Sequence, residues 1–230
     1  MARAAAEHVA GAHTIRSALP FSVGDTFGPA ALDFLLVEIG QPFLVMDGGR
    51  EQLVNFTDGR AVDFPAPLGR RIAYRAPFAD QFSYPLTLGV HTASSRLAID
   101  PPWITRVIAT LVWFGAGAVA RRAGGRRALH RITAALRRHY AGADAFAVVV
   151  DAEGRETSAS YSLIGHDQSG ATAIGAALVV GALREGEVAR AGVWFPEQVL
   201  ASQPCFARLA ARGFEVRVHP HGPTSVPRGT

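Results

Sequence analysis

Apolar positions recur with two different periods along this chain, and each change of period marks an element. Residues 13–21, "HTIRSALPF", alternate as a strand does. Leu32, Leu35, Leu36 and Ile39 then follow the i, i+3, i+4, i+7 rule of a helical stripe. Gly28 suits the cap of that helix and Pro29 its first turn, and Gly40 is expected to close it in the left-handed conformation. The Ala-rich residues ahead of the strand read as a further helix. Between residues 42 and 67 the grammar changes. Short apolar runs surround Asp47-Gly48 and Asp58-Gly59, which predicts two hairpin turns. Residues 67–95 are rich in Pro and aromatics and read as strands joined by extended loops.

The second half is more helical. Residues 103–120 are mostly apolar and predict a buried core helix. Another helix near 126–140 carries Leu129, Ile132 and Leu136 as its stripe. Strands at 146–150 and 156–164 flank a turn at Glu153-Gly154, and a small-residue helix over 169–183 takes Ser169 as its cap. In "GVWFPEQVL", residues 192–200, a strand is expected to end near Trp194 or Phe195. Pro196 then opens a helix, with Glu197 at the positive end of its dipole. A last helix stops at Gly213, and a strand over 214–218 points Phe214, Val216 and Val218 to one side. The turn-rich residues 219–230 predict a disordered tail.

Composition narrows the chemistry. The chain has 230 residues, 49% of them hydrophobic, which is enough for one sizeable core. Its 23 basic residues are all arginine, so a Schiff-base lysine, a P-loop lysine and a Ser-Lys pair are excluded within this chain. The lone Cys205 allows no internal disulfide and no Cys-based structural metal cluster, and a reducing, cytoplasmic setting is expected. Arg106 leaves 14 uncharged residues over 107–120, short of the roughly 20 that a spanning helix needs. The arginines over 121–138 keep peripheral contact with a membrane or another anion in view.

Two motifs imitate nucleotide sites. "FGAGAVA" fits G-x-G-x-x-[GA] through Gly115, Gly117 and Ala120, but an Arg-rich segment follows where a βαβ unit needs a helix and a parallel strand. It reads instead as a helix whose glycines allow close packing. "GHDQSGAT", residues 165–172, has P-loop spacing with Ala171 in the lysine position, so nucleotide hydrolysis is rejected and only an anion-holding helix start remains. His91, His166, Asp167 and Glu197 are candidate polar site residues near loops, joined by Arg96 and Tyr161 as lining of a substrate cleft. No metal-binding motif is present.

The run "YSLIGHDQSGATAIGAALVVGALREGEVARAGVWFPEQVLASQPCFARLAARGFEV" resembles the C-terminal end of saccharopine dehydrogenase-like (saccharopine reductase-type) NAD(P)-dependent oxidoreductases. Thr172, Ala173, Ala176 and Ala177 match that family's small-residue helix. Gly192, Val193, Pro196 and Glu197 match its G-V-x-x-P-E corner, and Leu209, Gly213 and Val216 its closing strand. The upstream runs "GPAALDFLLVEIGQPFLVMDGGR" and "YPLTLGVHTASSRLAIDPPW" look like the family's middle region. The resemblance spans residues 1–218 and implies an α+β fold, a mixed, mainly antiparallel sheet with helices packed on one face. It carries no Gly-rich dinucleotide start, so no cofactor site is expected in this chain. NAD(P) would come with a separate Rossmann domain.

The resemblance thus implies a substrate-binding and association domain of such an oxidoreductase, not catalytically competent alone. Trp194 and Phe195 would then face the seam with the cofactor domain. The expected partners are a small-molecule substrate, a separately encoded nucleotide-binding domain, or a second copy in a homodimer. The alternatives are a non-catalytic interaction protein and a basic peripheral membrane or anion-binding protein using residues 121–138. Nucleic acid is not expected, because the arginine-rich segment lacks interleaved aromatics.

Overall fold

The computed structural model describes residues 1–22, 28–140, 145–188 and 191–221. Among them the strands are β1 (Thr14–Ser22), β2 (Phe43–Asp47), β3 (Arg50–Val54), β4 (Gly59–Phe64), β5 (Gly69–Arg75), β6 (Thr92–Asp100), β7 (Phe146–Glu153), β8 (Ser158–Gly165) and β9 (Glu215–His221). The helices are α1 (Ala2–His8), α2 (Pro29–Glu38), α3 (Asp80–Leu88), α4 (Pro102–Trp113), α5 (Gly117–Arg121), α6 (Ala123–His139), α7 (Gln168–Arg184), α8 (Pro196–Val199) and α9 (Ser202–Ala210). Seven strands form one sheet in the order β4-β5-β6-β1-β7-β8-β9, and β2-β3 is a separate hairpin. Only β1 and β6 run parallel within the large sheet. The fold is α+β with a mixed, mainly antiparallel sheet.

Strand alternation decides where the core sits, because successive side chains leave opposite faces. Ile15, Ala93, Val150 and Tyr161 lie on one face, at the end covered by α1, α3 and α9. Leu19, Phe21, Leu97 and Ile99 continue that face toward α2, α4 and α6. The opposite face carries Ala18, Ala73, Ala98 and Ala147. Their small side chains let the sheet curl, so that β4 returns towards β7 and Phe64 and Leu68 fill the inside of the curl.

The β2-β3 turn forms as its sequence demands. Gly48 and Gly49 both take positive φ, 59° and 75°, and Asp47 pairs with Arg50 across the turn. The second Asp-Gly is not a hairpin turn. Asp58 ends the link from β3 into β4, and its carboxylate is held by Arg75 at 2.9 Å and Arg96 at 2.7 Å. Arg75 also reaches Asp47 at 2.7 Å, so this network ties the hairpin to the sheet.

Other expectations change for identifiable reasons. Residues 80–88 are helix, not extended loop. The buried Gln81 side chain donates to Ala76 O at 2.6 Å and accepts from Ser95 N at 3.3 Å, and this anchors α3 despite Pro85 within it. Residues 103–120 are not one buried helix. Gly115 (φ 81°) breaks the run between α4 and α5, leaving Trp113 and Phe114 exposed. Gly40 is not a left-handed cap; a Cβ there would lie 2.6 Å from Gly117 Cα, so the pair serves close approach of α2 and α5. Asp167 (φ 53°), not Ser169, caps α7, with its side chain accepting from Gly170 N at 3.0 Å. Residues 191–195 form no strand. β9 continues to His221, past the expected end of the domain, and residues 222–230 of the expected tail lie outside the described residues.

Candidate functional site

Three helices with apolar stripes meet the sheet without closing against one another. None of the 17 residues of α6 is buried, although Leu129, Ile132 and Leu136 line one side of a groove. The leucines of α2 are likewise only half-buried. Between these stripes, α4 and the strand residues Phe21, Leu97 and Ile99 lies a groove of about 390 Å³. That volume falls within the range of small-molecule pockets. Among the described residues, Thr133 brings a hydroxyl to the lining and Trp103 an indole ring, and the other lining side chains are apolar. Polar straps hold the rim. Asp33 on α2 meets His130 at 2.8 Å and Arg126 at 3.4 Å on α6, and Gln41 accepts from Arg121 at 2.7 Å.

Among the described residues the groove's lining has no carboxylate, imidazole or thiol, so the chemistry they offer is burial of an apolar body. A polar cluster sits beside it on the same sheet face. Ser95, two positions before Leu97 on β6, donates to Asp80 Oδ1 at 2.6 Å, and Gln81 N donates to the same oxygen at 3.0 Å. Burial raises the Asp80 carboxyl above its ordinary value, and these hydrogen bonds pull against that shift. Burial first, and the Asp80 charge second, push the Tyr84 phenol up as well.

The residues expected to line a cleft are distributed over the molecule. Arg96 is buried on the curled face, bound to Asp58, and burial lowers its guanidinium below its ordinary value while Asp58 opposes this. Tyr161 is on the other face, its hydroxyl 3.0 Å from His8 Nδ1, with burial raising its pKa. Arg96 and Tyr161 therefore cannot line one cleft. His91 is exposed at the start of β6, where its carbonyl accepts from Gly49 N at 2.9 Å. His166 and Asp167 are exposed beyond the end of β8. Glu197 accepts from Ser83 at 2.8 Å and Thr87 at 2.9 Å, so it fastens α8 to α3. Trp194 and Phe195 are 40% and 42% exposed, next to Val193 at 98%.

Sequence reasoning had marked the stripes of α2 and α6 but not the space between them, and it missed Asp80, Tyr84 and Ser95 entirely. The "FGAGAVA" fingerprint follows a helix, α4, where a dinucleotide fold needs a strand. Among the described residues, no cluster of three His, Cys, Asp or Glu could hold a metal, and no helix is long and apolar enough to cross a membrane. No protein-family model matches this sequence, and no curated protein matches it.

Proposed function

We propose that this chain is a binding domain that holds an apolar small molecule between α2, α4 and α6. The groove of about 390 Å³, lined almost wholly by apolar side chains among the described residues, carries this reading. In the setting implied by the resemblance, that molecule is the substrate of a saccharopine dehydrogenase-like NAD(P)-dependent oxidoreductase, and a separate chain supplies the nucleotide. What supports the setting is the run from Thr172 to Val216 described above.

The test is a titration with unbranched long-chain alcohols, followed by displacement of a fluorescent naphthalene probe. Saturable binding is expected, and Leu136→Trp, which fills the groove, should weaken it by on the order of tenfold. Binding that this variant leaves unchanged sinks the reading. A non-catalytic interaction domain is the second reading, favoured by the exposed Val193, Trp194 and Phe195. It expects oligomers or a stable complex, and a monodisperse monomer in light scattering counts against it.

A further inference from the structure

The positive charge of this chain is concentrated in one lobe. Residues 101–140, which build α4, α5 and α6, hold eight of the 23 basic residues and none of the 19 acidic ones. The rest of the chain carries the other 15 arginines against all 19 acids and is net negative. Arg127, Arg131 and Arg138 are exposed on α6, Arg106 is exposed on α4, and Arg121 and Arg122 are exposed where α5 passes into α6.

The same lobe exposes apolar side chains in a regular array. Trp103, Val107, Leu111 and Phe114 follow one another at intervals of four, four and three, which is one stripe of a helix. They are 46%, 46%, 50% and 80% exposed, and Trp113 beside them is 74% exposed. The stripe ends where Gly115 turns the chain, so Trp113 and Phe114 stand at a tip with Arg121 and Arg122 close behind in sequence. At 12 residues α4 is about 18 Å long, too short to span a bilayer but suited to lying in its interface.

We propose that the α4–α6 lobe docks on an anionic phospholipid surface. Trp113 and Phe114 enter below the headgroups, and the exposed arginines meet the lipid phosphates. The pairing of signs selects this occupant. A two-fold dimer through the patch would set two segments of eight arginines against each other, with Asp33 beside Arg126 offsetting only one of them in each copy. Nucleic acid would satisfy the arginines but leave the aliphatic and aromatic stripe without apolar contact. Trp103, Val107 and Leu111 also line the groove, so its rim would face the membrane, which is a source of apolar ligands. The docking itself does not depend on the groove being occupied.

Flotation of the full chain tests this, with vesicles of phosphatidylcholine alone and of phosphatidylcholine and phosphatidylglycerol in equal parts. The chain should float with the mixed vesicles, not with the neutral ones, and salt should release it. Replacing Arg127, Arg131 and Arg138 by Ser should lower partitioning by roughly 100-fold. The double variant Trp113→Ser, Phe114→Ser should lower it by on the order of tenfold and diminish the blue shift of Trp emission. Both variants alter exposed side chains only, and unchanged circular dichroism confirms their fold.

Flotation that neither variant alters, equal binding to neutral vesicles, or no flotation overturns the proposal. So does retention on duplex DNA without vesicle binding, or a dimer that the Trp113/Phe114 variant dissociates without vesicle binding. Leu136→Trp separates the two readings. It should weaken alcohol binding by on the order of tenfold yet leave flotation intact, whereas the Trp113/Phe114 variant should weaken flotation and leave alcohol binding intact.

Discussion

At Asp80, burial and hydrogen bonding act in opposite directions, and burial is the larger. The sign of the pH effect follows. In the interval above the ordinary carboxyl value of 3.8, the folded chain binds more protons at this site than the unfolded chain does. Stability contributed by Asp80 is therefore lost as pH rises from 3.8 through its raised native value. Asp80→Asn keeps a hydrogen-bond acceptor for Ser95 and removes the titration. The stability difference between this variant and the parent, measured by urea unfolding across pH, should grow in favour of Asn as pH rises. A difference that is flat with pH would contradict the assignment. Asp58 illustrates the reverse situation, a carboxylate whose partners are the buried groups. It is 49% exposed, but Arg75 and Arg96 beside it are only 8% and 3% exposed. Asp58→Ala leaves both guanidinium groups buried without that partner. We expect a loss of roughly 2–3 kcal/mol, less than for a fully buried pair because solvent screens Asp58. A urea midpoint equal to that of the parent would show that water replaces the carboxylate.

Among the elements, the close approach of α2 and α5 sets the width of the groove. A Cβ on Gly117 would come within 2.2 Å of Gly40 O, and backbone cannot swing aside as a flexible side chain does. Gly117→Ala should cost roughly 2 kcal/mol in thermal or urea unfolding and alter alcohol affinity at the same time. Unchanged stability would mean that α5 moves freely. The glycines of "FGAGAVA" were legible as a packing device, but their partner, Gly40, is 77 residues away and read locally as a helix cap. The same limit explains the other gaps. The helical stripes Leu32-Leu35-Leu36-Ile39 and Leu129-Ile132-Leu136 follow from periodicity. Whether facing stripes interdigitate or stand apart depends on tertiary geometry, so they read as core and prove to be cavity lining. Helix α3 has Pro85 inside it and Gly89 after it, which read as loop punctuation. What stabilises it are bonds to distant partners, Gln81 to β6 and Ser83 and Thr87 to Glu197. The strands, whose signal is local alternation, were read more closely, and the Asp47-Gly48 turn was placed correctly because positive φ at Gly48 and Gly49 is a local demand.

Over the whole molecule, the question is whether any part of this chain can hold a nucleotide. A dinucleotide site needs a glycine turn that follows a strand and opens onto free amides of a helix start. Here α4 precedes the glycines, α5 has only five residues, and Gly117 is pressed against the backbone of Gly40. At the other candidate, residues 165–172, the Gly170 amide is already taken by the Asp167 carboxylate, whose charge also repels phosphate. The first segment is therefore closed by backbone, and the second presents a carboxylate where a pyrophosphate would sit. Calorimetric titration of this chain with NADH and NADPH should give no saturable heat at micromolar concentration. The same titration after adding a separately expressed Rossmann domain that binds it should give heat only through that domain. Micromolar binding by this chain alone would contradict this expectation. The apolar groove would stand in either case, because its lining owes nothing to phosphate recognition.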